Sequence, residues 1–293
     1  MSAVFPVAVI GVGNMGAAMA QNLLAQGWPV HVHDIIPARH AALVSTGAVA
    51  HGTAASAAVQ ATTTIIAVVT AEQARDVLFG AGAVASAVRL GHTVVLCPTM
   101  APADVEAIAA QLHPLGVFCV DAPMSGGPVR ARDGSMSLMV ACTEAVYVRQ
   151  APLLQALSSK LFRISERAGD GARTKLVNNL AAAINLAGAA EVLAMAQRMG
   201  LDGGKTLDVI EQSSGQSWIG SDRMRRALSN DFAPRAHMTL LEKDTRLAVQ
   251  AAIDAGFTGL LGSTVRDAFA SASASGLAEM DDSALSRWMQ QRN

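Results

Sequence analysis

The first 160 residues of this chain alternate short β-branched runs with alanine-rich helical stretches, and this alternation restricts the fold more than any other feature. Strands that alternate with helices predict a parallel sheet joined by right-handed crossovers. Runs that are apolar throughout indicate strands that are covered on both faces. The predicted strands are 7–11, 30–34, 63–69, 92–97, 117–122 and 137–142, and a helix is predicted over 15–26.

The pattern changes after about residue 165. From Gly171 to Met199 there is no proline and apolar residues recur at helical spacing, which predicts a single helix roughly 40 Å long. We therefore predict an α/β parallel-sheet domain over 1–165, followed by a long connecting helix and an all-α domain within 166–293. The further helices are predicted over 204–213, 219–229, 238–255, 262–275 and 281–291, and no strand is predicted there.

Composition excludes several classes of protein. A hydrophobic content of 51% with a net charge of -1 excludes intrinsic disorder, and the absence of a basic excess argues against a nucleic-acid partner. The most apolar stretch, 176–201, contains amide and charged side chains, so it predicts a buried helix rather than a membrane span. No targeting signal is visible in MSAVFPVAVIG, and we expect a cytoplasmic protein.

The chain has three cysteines, Cys97, Cys119 and Cys142, which lie in or beside apolar runs. An odd number without close pairing argues against a disulfide framework, and no metal-ligand spacing is present. We therefore predict buried thiols and no metal cofactor.

The segment Gly11-Val-Gly13-Asn14-Met15-Gly16 follows the first predicted strand and opens the first predicted helix. In that context the glycines permit a tight turn, close approach of a pyrophosphate and helix–strand packing, while the helix N-terminus stabilises the anion. Asp34 ends the second predicted strand, where a carboxylate binds ribose hydroxyls and repels a 2′-phosphate. The motif predicts a Rossmann-type domain that favours NAD over NADP. Arg39 leaves NADP open, and a structural glycine turn is the alternative.

Three later segments suit a small anionic ligand. Ser125-Gly126-Gly127 expose consecutive backbone N–H groups that suit a carboxylate, although an ordinary turn is the alternative. Lys175 and Asn179 are four residues apart on one helix face and can converge on a ligand, unless Lys175 is a solvated surface lysine. Burial of the adjacent side chains of Asn178 and Asn179 without hydrogen-bond partners would cost free energy. The pair therefore favours a functional role over a structural one. Glu242-Lys243-Asp244 alone indicates a solvated helix face.

In this order, the segments resemble the β-hydroxyacid dehydrogenase family. That family includes 3-hydroxyisobutyrate dehydrogenases, tartronate semialdehyde reductases and threonate dehydrogenases, and is related to 6-phosphogluconate dehydrogenase. The resemblance covers nearly the whole chain and implies hydride transfer between NAD and the hydroxyl-bearing carbon of a small hydroxy acid, in a homodimer or homotetramer. It is carried by GVGNMGAAMAQNLLAQG (11–27), DAPMSGG (121–127), GDGARTKLVNN (169–179) and EKDTRLA (242–248).

The resemblance also implies roles for individual residues. Lys175 matches the catalytic lysine that takes and returns the hydroxyl proton, and Asn179 matches an asparagine that helps hold the substrate. Ser125, Gly126 and Gly127 match the carboxylate-binding loop. The implied cofactor contacts are Gly11, Gly13, Asn14, Met15, Gly16, Asp34, Val69, Thr70, Thr99 and Lys243.

Near the implied substrate position the chain departs from the family pattern. Arg130 stands where a glycine is common, and His237 where an aromatic residue is frequent. Ser217-Trp218, with Arg223, resembles the threonate-type branch, so Trp218 is an implied substrate contact. Two alternatives stay open: an imine reductase of similar architecture, which usually lacks the lysine, and a non-catalytic dinucleotide-binding dimer.

Overall fold

The computed structural model describes residues 4–292, and its internal contacts divide the chain into two compact units, Met1–Lys175 and Leu176–Asn293. The first unit contains a sheet with helices, and the second is helical. This division falls inside the long helix, whereas the sequence places a domain boundary after residue 165. The domain limits 1–165 and 166–293 therefore stay a prediction.

Within residues 4–175 the structure has nine strands, eight complete helices and two short 3₁₀ turns, and the long helix begins at Asp170. The strands are β1 (Val7–Ile10), β2 (Val30–His33), β3 (Val49–Ala50), β4 (Thr63–Ile66), β5 (Thr93–Leu96), β6 (Phe118–Asp121), β7 (Met124–Ser125), β8 (Ser137–Ala141) and β9 (Lys160–Ser165). The helices are α1 (Asn14–Ala25), α2 (Ala41–Val44), α3 (Ala54–Ala58), α4 (Ala71–Phe79), α5 (Val84–Ala87), α6 (Pro102–Leu112), α7 (Gly127–Arg132) and α8 (Glu144–Leu157), with 3₁₀ turns at Pro37–His40 and His113–Leu115.

The strands form one sheet in the order β3-β2-β1-β4-β5-β6-β8-β7, and β9 lies off this path and pairs with β8 in parallel. Strands β1 to β6 are parallel, as predicted, whereas β8 runs antiparallel to β6 and β7. The carboxyl ends of the parallel strands therefore share one edge. Strand order reverses between β1 and β4, which is the switch point where sheets of this kind bind ligands.

At the centre of the sheet both faces are buried, and β1 consists of apolar residues only. In β1, Val7 and Val9 join one apolar cluster, which also contains α1 side chains, while Ala8 and Ile10 join the cluster on the other face. All four are at most 1% exposed. The six predicted strands correspond to β1, β2, β4, β5, β6 and β8.

The long helix α9 (Asp170–Arg198) confirms the predicted uninterrupted helix. In the part of the chain that the structure describes, it is the one helix whose length and composition would allow it to cross a membrane. A core helix meets the same criterion, and Ala183, Leu186 and Ala190 of α9 are at most 1% exposed in the core of the helical unit. Packing thus accounts for much of its apolar character.

The second unit continues with helices, and no strand is found between 166 and 292, as predicted. The helices are α10 (Gly203–Glu211), α11 (Trp218–Leu228), α12 (Met238–Asp254), α13 (Leu260–Ala272) and α14 (Leu285–Gln291), with a π turn at Ser273–Leu277 and a 3₁₀ turn at Asp282–Ala284. Leu207, Met224, Phe269 and Leu285 are at most 1% exposed and form the centre of its core.

Candidate functional site

The glycine segment forms the turn between β1 and α1, and its three glycines differ in their surroundings. Gly11 has a φ of +89°, and a Cβ there would lie 2.9 Å from the Ala67 carbonyl oxygen. A Cβ on Gly16 would lie 1.9 Å from the Gly11 carbonyl oxygen. Around Gly13, in contrast, an added Cβ would meet nothing within 4 Å. The backbone at Gly13 therefore faces open space, which fits the close approach of a phosphate.

The N-terminus of α1 adds donors at the same place. Its N-cap residue Gly13 provides no side-chain cap, and the first turn contains no acidic residue. Unpaired N–H groups and the helix dipole together suit an anion. Asn14 is exposed and Met15 is half-buried at this helix end. These features fit the pyrophosphate of a dinucleotide.

Asp34 directly follows β2, and its carboxylate is only 4% exposed. Oδ2 accepts the Val12 N–H at 2.9 Å, and Oδ1 accepts the Ile36 N–H at 2.9 Å. Nη1 of Arg39 lies 3.3 Å from both oxygens. The carboxylate thus holds the glycine turn in place, in addition to the ribose contact that the sequence predicts for it.

Three further predicted cofactor contacts lie at the same edge of the sheet, Val69 and Thr70 after β4 and Thr99 after β5. Val69 is 50% exposed, and Thr99 is half-buried. The Thr70 hydroxyl caps α4 by accepting the Gln73 N–H at 3.2 Å, and Gln73 Oε1 accepts the Val69 N–H at 2.9 Å. This cap fixes the backbone that leads out of β4.

The predicted carboxylate loop begins where Ser125 of β7 pairs with Ser137 of β8. Gly126 and Gly127 follow with φ values of +127° and +74°, a region that favours glycine. A Cβ on Gly126 would lie 2.9 Å from Cδ of Arg130, so the Arg130 side chain packs against the loop. The loop is half-buried, and successive N–H groups in such a turn suit a carboxylate.

Lys175 and Asn179 lie one turn apart on α9 and are 6% and 8% exposed. A lysine this deeply buried is uncommon, because removing an ammonium group from water is costly. The alternative of a solvated surface lysine is therefore wrong. Asn178 is exposed, and its Nδ2 donates to Asn179 Oδ1 at 3.1 Å.

Asp244 of α12 holds Asn179 within the second unit. Asn179 Nδ2 donates to Asp244 Oδ2 at 2.5 Å, and Lys243 Nζ lies 2.8 Å from Asp244 Oδ1. Asp244 is 6% exposed, so the expected solvated face is wrong for this residue. One buried carboxylate orients both the amide and the ammonium group, a role that no local sequence pattern indicates.

The segment implied to border the substrate begins α11. Ser217 Oγ accepts the Gly220 N–H at 3.1 Å, and Trp218 is 51% exposed. The Arg223 side chain is instead 14% exposed, and it forms ion pairs with Asp222 and with Asp282, whose Oδ1 lies 2.5 Å from Nε. Arg223 therefore anchors α11 to the turn before α14, while Trp218 offers an accessible apolar surface.

The remaining side chains that could be reactive are the three cysteine thiols. Cys97 and Cys142 are buried, Cys119 is half-buried, and all three are free thiols. Burial raises the pKa of the Cys97 thiol to about 12 and that of Cys142 to about 11. Within residues 4–292, no group of three His, Cys, Asp or Glu side chains is placed to hold a metal ion.

The glycine turn, with a strand order that reverses at β1, defines a dinucleotide-binding domain of the Rossmann class. Residues 6–165 match the family model for the NAD binding domain of 6-phosphogluconate dehydrogenase. Residues 169–289 match the model described as the NAD-binding of NADP-dependent 3-hydroxyisobutyrate dehydrogenase. The chain belongs to the β-hydroxyacid dehydrogenase family, which confirms the resemblance.

Individual relatives match along almost the whole chain. L-threonate dehydrogenase from Escherichia coli O6:H1 is 33% identical over 282 residues, covering 96% of this chain and 93% of that protein. The 2-hydroxy-3-oxopropionate reductase of Escherichia coli K12 is 32% identical over 276 residues, or 94% of each chain. The crystal structure of a 3-hydroxyisobutyrate dehydrogenase from Salmonella typhimurium has a TM-score of 0.91 and 35% identity, covering 97% of this chain and 99% of that chain.

Proposed function

We propose that this chain catalyses the reversible NAD-linked oxidation of a small hydroxy acid, with L-threonate as the first candidate substrate. The observation that carries the proposal is the buried Lys175, one turn before an asparagine whose amide is fixed by a buried carboxylate. The Ser217-Trp218 segment and the L-threonate dehydrogenase relatives support the choice of acid.

Each implied residue has one task in this proposal. Backbone N–H groups of Ser125, Gly126 and Gly127 bind the substrate carboxylate, which directs the hydroxyl group to Lys175. Nζ of Lys175 takes the hydroxyl proton during oxidation and returns it during reduction. Asn179 donates to the substrate or accepts from it, in an orientation set by Asp244. When bound, the nicotinamide accepts or supplies the hydride.

The preference for NAD rests on Asp34. Its buried carboxylate stands at the end of β2, where it repels a 2′-phosphate. Arg39 neutralises part of that charge and is 47% exposed on its side chain. We therefore propose that NADP is accepted as the weaker cofactor rather than excluded.

Initial rates with NAD and NADP test the proposal. The hydroxy acids are 3-hydroxyisobutyrate, D-glycerate, L-threonate, D-threonate and L-serine, each at saturating concentration. We expect the largest kcat/KM with L-threonate and NAD. A larger value with another of these acids would keep the reaction class and change the substrate. If protein that still binds NAD oxidised none of these acids at a measurable rate, the proposed function would be contradicted.

A further inference from the structure

Asp121, the first residue of the DAPMSGG segment, has no task in the chemistry above, although its side chain is buried at the end of β6. The residue is 1% exposed. Its Oδ2 accepts the Gly169 N–H at 2.9 Å and the Ala172 N–H at 3.1 Å. The carboxylate therefore occupies the N-terminus of α9, where N–H groups have no partner within the helix. All of these residues belong to the first unit.

The contact leaves no room for a side chain at the start of the helix. A Cβ on Gly171 would lie 2.9 Å from Asp121 Oδ1 and 2.8 Å from the Met139 carbonyl oxygen. The first turn of α9 thus rests directly on the carboxylate and on β8. On its outer side, Arg173 Nη1 lies 2.9 Å from Asp170, and Arg173 Nη2 lies 2.6 Å from Glu106 of α6.

A carboxylate is a costly choice for this position. Burial raises the pKa of Asp121 to about 6, although backbone N–H groups of Ala172, Gly169 and Gly171 act in the opposite direction. An uncharged cap would avoid much of that desolvation. The negative charge has one clear advantage, because a single oxygen binds two N–H groups strongly and opposes the positive end of the helix dipole.

We propose that Asp121 is a positioning residue that fixes Lys175 relative to the carboxylate loop. The same residue ends the strand that leads into Ser125-Gly126-Gly127 and holds the helix on which Lys175 lies one turn beyond Ala172. A displacement of this helix by about 1 Å would move the lysine away from a hydroxyl group that the loop holds, and misplacements of that size lower turnover by on the order of 100-fold. The inference rests on the proposed function of Lys175.

The kinetic test compares Asp121→Ala with Asp121→Asn. The alanine variant loses the acceptor, and its kcat should fall by about 30-fold or more, with the Kd of NAD changed by less than about threefold. The asparagine variant retains an acceptor oxygen, and its kcat should recover to within about fivefold of the wild type. Asp202→Ala is the matched control, because Asp202 caps α10 by accepting the Lys205 N–H at 2.8 Å. It should leave kcat unchanged.

Hydrogen exchange supplies a readout that does not depend on activity. In Asp121→Ala the amides of 169–175 should exchange about tenfold faster or more, while those of β1, β4 and β5 stay protected, and Asp121→Asn should restore slow exchange. If Asp121→Ala does not fold, Gly171→Ala displaces the same turn, and it should lower kcat about tenfold or more with NAD still bound.

The outcomes separate this inference from the proposed function. An alanine variant that keeps its kcat within about threefold of the wild type, or normal exchange over 169–175, would overturn the positioning role. The positioning role would also be overturned if the alanine and asparagine variants lost kcat equally, or if NAD affinity fell in proportion to kcat. A wild type inactive on every hydroxy acid would instead reject the proposed function, and the exchange result would still decide what Asp121 holds.

Discussion

Arg39 is the residue that tests the proposed acceptance of NADP, because it neutralises part of the charge on Asp34. Its guanidinium is half-exposed and pairs with Asp34 at 3.3 Å. The Arg39 side chain of this pair is 47% exposed, so solvent screens its interaction with Asp34 and Arg39 can exchange Asp34 for a 2′-phosphate. We expect Arg39→Ala to lower kcat/KM with NADP about tenfold or more, while the value with NAD changes less than about threefold. Initial rates with both dinucleotides measure the ratio.

Arg75→Ala provides the control for charge alone. Arg75 lies on α4 and pairs with Asp104 of α6, so its removal takes one positive charge from the same unit. The ratio of NAD to NADP efficiency should stay that of the wild type. If Arg39→Ala lowered both efficiencies equally, Arg39 would hold the turn rather than discriminate between cofactors.

Single residues also show where prediction from sequence ends. The position of Asp34 followed from its spacing after the glycine segment, because strand, turn and helix are consecutive along the chain. The bond between Asn179 and Asp244 joins residues 65 positions apart, and no local pattern carries that pairing. Glu242-Lys243-Asp244 therefore indicated a solvated face, although the helical packing of the second unit buries its aspartate.

Among the elements, the β1–α1 turn gives the sharpest test, because substitutions of two of its glycines should have different effects. A Cβ on Gly16 meets the Gly11 carbonyl oxygen at 1.9 Å, so Gly16→Ala must push α1 away from β1. We expect it to lower the free energy of unfolding by about 2 kcal/mol or more and to weaken NAD binding. Denaturant unfolding and NAD titration measure the two effects.

Gly13→Ala is the matched variant in the same turn. Its Cβ meets no protein atom within 4 Å, and its φ of -70° suits alanine. The free energy of unfolding without cofactor should therefore stay within about 0.5 kcal/mol of the wild type, while NAD affinity falls about tenfold or more. Unchanged NAD affinity in Gly13→Ala would contradict a phosphate position at this backbone.

Strands were easiest to predict where all of their residues are buried, and the strands that were missed are exposed along one face or very short. β1, β4 and β5 read as strands because every residue in them is buried. β9 was missed because exposed and half-buried residues alternate along KLFRIS, so no apolar run is present. β3 and β7 have two residues each, which is too short for any period to show.

For the whole molecule, acid sensitivity depends on buried groups such as His92. Burial lowers the pKa of His92 to about 4, from 6.5; a backbone hydrogen bond to Ala61 opposes this shift, and Arg149 adds to it. Between pH 6.5 and about pH 4 the unfolded chain binds a proton at His92 that the folded chain does not. The free energy of unfolding must therefore fall as pH falls through this range. The contribution of His92 to this loss is about 3 kcal/mol, complete near pH 4.

His92→Gln should therefore flatten the pH dependence of unfolding between pH 6.5 and 4. The measurement is the free energy of unfolding of both proteins in denaturant across that range, with exposed His113→Gln as the control. Asp121 acts with the opposite sign, because its raised pKa lets the folded chain bind a proton first as pH falls from about 6 to 3.8. Equal slopes for wild type and His92→Gln would contradict the account.

Lys175→Ala, measured for both turnover and NAD binding, tests the central claim most directly. The chain contains four lysines, and the exposed Lys205→Ala is the matched control. If Lys175 moves the hydroxyl proton, its removal should lower kcat on the best hydroxy acid by about 1,000-fold, with the Kd of NAD within about threefold of the wild type. A Lys175→Ala enzyme that keeps more than about a tenth of the wild-type rate would contradict the assignment of this lysine as the general acid and base.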